Sequence, residues 1–181
     1  MQAPGEMLRG KVYICRYMST LTIREACATD IPAILPVLEA ARGIMVASGN
    51  SSQWQAGYPA ESDILRDISR GGGFVVLEGE RIVAYFAFLP SPEPTYSVIY
   101  EGRWLDDTRP YHVIHRLASF PEVHGIFRTV LDWCSAQDAN LRIDTHRDNH
   151  IMQHCILRYG FRYCGIILLL NGDERLAYQK V

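Results

Sequence analysis

The residues best placed to do chemistry lie between Tyr111 and Asn149. The loop Pro121-Glu122-Val123-His124-Gly125 runs into a segment whose apolar residues Val123, Ile126, Phe127, Val130, Leu131 and Cys134 recur at intervals of three and four. That is the period of a helix with one buried stripe. The first turn of such a helix presents free backbone N–H groups at the positive end of its dipole, which suits a phosphate. His115 lies just upstream, and a histidine side chain can accept or return a proton. The plainer reading of His115 is a hydrogen-bonded residue of a sheet. His146, His150 and His154 are spaced by four, which invites a metal. The set crosses from a strand into a helix, however, and no carboxylate or cysteine completes it. No metal is expected.

The elements that must position these residues follow from the same periodicities. Tyr111 to Ala118 reads as a strand. Leu141, Ile143 and Thr145 alternate with Arg142, Asp144 and His146, the pattern of a half-buried strand. A helix joining two such strands is a crossover unit, so the strands should lie parallel. Upstream, Leu21 to Glu25 is a short strand, and Thr29 is a candidate cap for a helix reaching Ala47, with Pro32 in its first turn. A loop from Ser48 to Pro59 precedes a second helix with Ile64, Leu65 and Ile68 facing inward. Phe74 to Glu78 and Arg81 to Leu89 form a hairpin, and Tyr96, Val98 and Tyr100 alternate like a further strand. Asp148 or Asn149 caps a helix to about Arg158, and Gly160 ends it. A last hairpin turns at Asn171-Gly172. The expected fold is a mixed α/β (α+β) sheet with helices on both faces.

Size and composition narrow the function classes. A chain of 181 residues and 20.5 kDa has room for one real core. A net charge of −2 gives no electrostatic reason to expect nucleic acid or an anionic membrane as partner. The five cysteines, Cys15, Cys27, Cys134, Cys155 and Cys164, form no Cys-x-x-Cys pair. That suits free thiols in a reducing cytoplasm. Cys155 reads as a structural thiol, since no basic partner is evident at its spacing. No apolar run approaches the roughly 20 residues of a membrane span. Residues 1–20 fit no period and read as an extension, with Met18 a candidate true start; residues 21–181 read as a single domain.

This order, taken with Leu117-Ala118-Ser119, the Pro121-Glu122 loop, Asn149 and Tyr159-Gly160-Phe161, resembles the GNAT superfamily of acyl-CoA-dependent N-acetyltransferases. The resemblance spans Leu21 to Lys180. It looks closest to a bacterial branch with Ile-Asp-Thr-His and Tyr-Cys-Gly-Ile, here Ile143 to His146 and Tyr163 to Ile166. It implies a mostly antiparallel central sheet whose parallel strand pair splays apart. Acetyl-CoA would lie in that gap. Its arm would pair with backbone at Leu117, Ala118 and Ser119, and its pyrophosphate would meet His124, Gly125, Ile126 and Phe127. A side chain at Asn149 often contacts the cofactor in the family. The sequence departs from the family in two places. The phosphate loop is about two residues shorter and keeps only Gly125, so fewer amides reach the phosphates. The position where many members carry an acidic tyrosine, four residues before the Gly-Phe pair, is Ile156.

The resemblance also places His115 where many members carry a glutamate base. Amine acetylation needs a neutral amine and a polarised thioester carbonyl, and a histidine there could take the proton. Trp54, Tyr58, Tyr96, Tyr100 and Trp104 flank the expected slot and could wall an acceptor pocket, with Glu101, Asp106 or Asp107 attracting a cationic amine. Taken singly, each aromatic is better explained by ordinary packing. The expected function is transfer of an acetyl group from acetyl-CoA to a small-molecule or peptide primary amine, by direct attack in a ternary complex. The alternative is a non-catalytic acyl-CoA sensor or interaction module on the same fold. Exposed strands at the C-terminal hairpin make a homodimer conceivable.

Overall fold

In the computed structural model, residues 20–55 and 57–181 are described. The extension expected over residues 1–20 lies outside them, apart from Thr20. The chain runs β1 (Leu21–Glu25), α1 (Ile31–Ala47), α2 (Glu61–Ser69), β2 (Gly73–Glu78), β3 (Arg81–Pro90), β4 (His112–Ser119), α3 (Ile126–Gln137), β5 (Leu141–Thr145), α4 (His150–Tyr159), β6 (Arg162–Leu168) and β7 (Glu174–Lys180). These strands build one seven-stranded sheet in the order β1-β2-β3-β4-β5-β7-β6. Every neighbouring pair is antiparallel except β4 and β5, the pair joined by the α3 crossover.

Two faces of the sheet carry different cores. On one, α3 and α4 cover Phe74, Phe86, Phe88, Ile114, Leu141 and Ile143, with Val130, Leu131 and Ile156 supplied by the helices. On the other, α1 and α2 cover Val75, Tyr85 and Ala118. There the neighbouring half of the sheet is closed not by a helix but by the 91–111 segment, whose Tyr96, Trp104 and Tyr111 pack on Val113, Ile167 and Ala177.

A bulge in β4 decides which way its residues face. Pairing with β3 shifts register between Tyr85 and Ala87, which oppose Ala118 and His115 respectively. Arg116, inside the extra stretch, takes a left-handed φ of 53°. A bulge inserts one residue and re-aims those that follow. Here it keeps Arg116 and Ala118 on the α1–α2 side, the side Val113 and His115 already face, while Leu117 packs with Ile114 on the other. The strained conformation at Arg116 is held by an ion pair with buried Asp67 of α2, whose other donors include the Tyr85 hydroxyl at 2.8 Å. Removing either charge would leave its partner buried and unpaired, a loss of about 3–5 kcal/mol.

Several expected details differ. Helix α1 starts at Ile31, after a short turn over Ala28–Asp30; Asp30 rather than Thr29 is its N-cap residue, and the Asp30 carboxylate closes the preceding turn by accepting from the Cys27 N–H at 2.9 Å. Leu65 points to solvent, and it is Asp67 that α2 buries. The strand expected over Tyr96 to Tyr100 is a single turn, Pro94–Tyr96, followed by one isolated bridge from Tyr100 to Ile166. Pro92 and Pro94 remove the donors a ladder needs. That bridge brings two chains so close that a Cβ on Gly165 would sit 2.5 Å from the Tyr100 carbonyl oxygen, so the Tyr-Cys-Gly-Ile glycine answers a backbone contact. Strand β5 is not half-buried. Arg142 is fully enclosed, its guanidinium 3.9 Å from the centre of the Trp104 ring and 3.7 Å from that of Tyr111.

Candidate active site

The parallel pairing of β4 with β5 stops at Ile114–Ile143. Beyond it β4 continues to Ser119 along β3 alone, and β5 continues to Thr145 along β7 alone. The strands therefore part, and the backbone of residues 115–119 on the β5 side has no strand partner among the described residues. A groove of about 160 Å³ opens there, lined by Leu117, Ala118, Ser119, Ile126, Phe127, Ile151, Met152 and Cys155. Five of these are residues expected to hold the cofactor. Ile151, Met152 and Cys155 were not singled out for that role. Met152 and Cys155 have the helical spacing of a buried stripe, so sequence reads them as core.

The mouth of the groove is the start of α3. Gly125 is its N-cap, at a φ of 84°, and no side chain caps the helix. A residue with a Cβ would cost about 1–2 kcal/mol in that conformation, although the position itself is open space. The first-turn N–H groups thus face a ligand or solvent with the dipole behind them. His124 is exposed beside them. The preceding loop is fastened by a pair between Arg81 Nη2 and Glu122 Oε1 at 2.8 Å. An apolar groove with unpaired strand backbone, ending at an uncapped helix, fits the apolar arm, amides and diphosphate of an acyl-CoA.

Asn149 is committed elsewhere. Its carbonyl oxygen accepts from Met152 N–H at 3.1 Å to cap α4, and its amide donates to Gln53 Oε1 at 2.9 Å. Gln53 also takes the Asn50 amide at 2.8 Å, and so ties the loop between α1 and α2 to the start of α4. Ile156, at the position of the usual tyrosine, is wholly buried in the core under α3 and α4. Of the side chains that α4 turns to the groove, Cys155 is the one whose heteroatom carries a proton.

Across the splay, His115 sits between two carboxylates that composition could not single out. Its Nδ1 is 3.6 Å from Asp144 Oδ1, and its Nε2 is 3.9 Å from Glu93 Oε2. The Tyr96 ring meets the imidazole edge-on at 5.7 Å, and the Tyr96 hydroxyl donates to Asp144 Oδ1 at 2.6 Å. Burial, reinforced by the Asp144 charge, pushes the Tyr96 hydroxyl far above its ordinary pKa, so it remains a donor. Burial acts to raise Glu93 too, but contact with His115 and the charge of Arg70 outweigh it, and the carboxyl is held below its usual value. Glu93 is therefore ionised at neutral pH.

The expected aromatic wall divides. Tyr96 and Trp104 stack at 5.4 Å and are buried, so they shape the His115 site from within. Trp54 is buried among α1 and α2 residues, edge-on to the half-exposed Tyr58. Tyr100 stands apart, on the surface at β6. The expected acidic attractants are occupied or remote: Asp106 pairs with Arg109, Asp107 with Arg142, and Glu101 is exposed. Among the described residues no group of three or more His, Cys, Asp or Glu could hold a metal ion, and no helix is long and apolar enough to cross a membrane.

No protein-family model and no curated protein sequence matches the chain. Solved structures do. A GNAT-family acetyltransferase from Streptococcus agalactiae is 35% identical, superposes with a TM-score of 0.81, and is aligned over 91% of this chain and 97% of its own. A GNAT-family acetyltransferase from Listeria monocytogenes shares the fold at 21% identity, with a TM-score of 0.60 over 88% and 94% of the two chains. A ribosomal-protein-alanine N-acetyltransferase from Brucella melitensis does so at 19% identity, with a TM-score of 0.58 over 88% and 99%. With more than a third of its residues shared across nearly the full length of the first of these, the chain belongs to the GNAT family of acetyltransferases.

Proposed function

We propose that this acetyltransferase moves the acetyl group of acetyl-CoA to a primary amine by direct attack in a ternary complex. The observation that carries the reading is the parting of β4 from β5 after Ile114. It sets an apolar groove on one side of the gap and His115 between two carboxylates on the other. The pantetheine arm would lie along Leu117, Ala118 and Ser119, and its amides would pair with strand backbone left open by the splay. The diphosphate would rest on the N–H groups of Ile126 and Phe127 after Gly125, with His124 alongside. Acetyl-CoA supplies the activated carbonyl. His115 would take the proton that the amine must lose to become a nucleophile.

Held in one complex, amine and thioester react as neighbours, and the gain from fixed proximity removes any need for a covalent enzyme intermediate. A non-catalytic acyl-CoA sensor is not favoured, because it would have no use for a proton acceptor poised between carboxylates at the gap. Tyr58 and Trp54 would border the acceptor entrance on the α1–α2 side.

The deciding experiment is thiol release. Purified protein is mixed with acetyl-CoA and n-butylamine, glycinamide or Ala-Ala-Ala-amide, and free CoA and acetylated amine are measured together. Equal appearance of both supports transfer. Binding of acetyl-CoA with neither product would leave the sensor and end the transferase reading.

A further inference from the structure

Each of the two carboxylates beside His115 accepts one hydroxyl, but only in Asp144 is it the oxygen facing the imidazole that is taken up. Asp144 Oδ1 accepts the Tyr96 hydroxyl and faces His115 Nδ1. When His115 is neutral with its proton on the Nδ1 that faces Asp144, the lone pair of Nε2 points towards Glu93. Glu93 Oε1 accepts from Thr95 Oγ1 at 3.3 Å, while Oε2 lies 3.9 Å from Nε2. Two acceptors facing each other at that distance repel unless a donor comes between them.

We infer that Glu93 is the acceptor-binding residue of this enzyme: its carboxylate holds the ammonium group of a cationic primary amine against His115 Nε2. This rests on the transferase reading and adds the substrate's charge and its ligand. A nitrogen about 2.8 Å from both Oε2 and Nε2 subtends an angle of roughly 90°, about 20° below the tetrahedral angle of an ammonium, which leaves each N–H about 10° from pointing straight at its acceptor. One N–H is donated to Glu93, the other to His115. Asp144 is engaged by Tyr96 and Arg116 is closed on Asp67 in α2, while Arg70, whose charge reaches Glu93, makes no ion pair with it among the described residues. Tyr96 stays neutral.

The proton and electron count is simple. The ammonium gives one proton to His115 Nε2, and the freed nitrogen lone pair forms the C–N bond at the acetyl carbon. The C–S bond breaks with its electron pair on the CoA sulfur, which is protonated by the second proton lost from nitrogen. His115 returns its own to solvent.

Glu93→Gln keeps the shape and removes the charge. With saturating acetyl-CoA, the KM for each accepted amine should rise at least about tenfold, the loss of one charge-assisted hydrogen bond. The KM for acetyl-CoA should stay within about twofold, and Glu93→Asp should recover part of the amine KM. An unchanged amine KM, or one that rises in step with that for acetyl-CoA, overturns the assignment. A second readout does not need turnover. The His115 ring resonances should shift when n-butylamine is added to wild-type protein, but not with n-butanol, and Glu93→Gln should abolish the response. Equal responses to amine and alcohol, or an unaltered response in the variant, refute it. If wild-type protein binds the amine in this way yet releases no CoA, it is the transferase reading that fails.

Discussion

The Tyr96 hydroxyl donates to Asp144 Oδ1 at 2.6 Å, joining the 91–111 segment to the strand that faces His115. The bond is enclosed, and its donor cannot ionise near neutral pH because burial and the Asp144 charge both oppose it. It fixes the carboxylate that orients the imidazole. Tyr96→Phe should therefore lower kcat several-fold, through a less ordered His115, and cost about 1–2 kcal/mol of stability. Urea unfolding and initial rates at saturating substrates measure the two effects. A stability loss with unchanged kcat would reduce the bond to a structural one.

His115→Ala should lower kcat by about 10²–10⁴ at saturating acetyl-CoA, the usual range for loss of a general base. Its melting temperature should stay near wild type, since the ring keeps partial exposure and packs mainly on Tyr96. Rates measured from about pH 6 to 9 test the role, because a histidine acting as the base must leave its imprint on that span. Equal turnover in variant and wild type across that span would exclude it.

Cys155→Phe should fill the groove between α4 and residues 117–119. Without ligand the variant should melt close to wild type, because the added ring enters open space rather than the packed core. Ligand that binds only the folded state raises the melting point by mass action. Acetyl-CoA should do this for wild type and not for the variant. The same upshift in both would place the cofactor elsewhere.

Asp30 sets one pH dependence of stability. Its carboxyl is held well below the ordinary range, first by hydrogen bonds from Arg24 at 2.7 and 2.9 Å, against the opposing effect of burial, and then by the Cys27 N–H. Because the folded pKa is depressed, the contribution is fully present above the ordinary value near 3.8 and is lost as pH falls through and below it. Asp30→Asn should destabilise the protein at pH 7 and flatten the fall in melting temperature below about pH 4. Parallel wild-type and variant curves on the acid side would show that Arg24 contributes nothing through this pair.

The sequence by itself determined the order of the helices and of the seven paired strands, and the crossover that makes β4 and β5 parallel. Those are set by periodicity and by turn residues such as Gly125 and Gly160, which act over a few neighbouring positions, whereas the cofactor role of Leu117 to Ser119 and Ile126 to Phe127 is implied only by the family resemblance. Only the tertiary structure decided what faces His115. Glu93 follows prolines in an irregular segment, and Asp144 comes from a different strand, so their meeting depends on strand order and on the β4 bulge rather than on any local pattern. The same applies to Arg142, whose charge suggests solvent yet which is buried because Trp104 and Tyr111 close over it from the 91–111 segment. It applies equally to Asn149, whose side chain is claimed by Gln53 from a distant loop. Local spacing encodes which residues share a face of a helix or strand; contacts between segments tens of residues apart are settled only when the sheet brings them together.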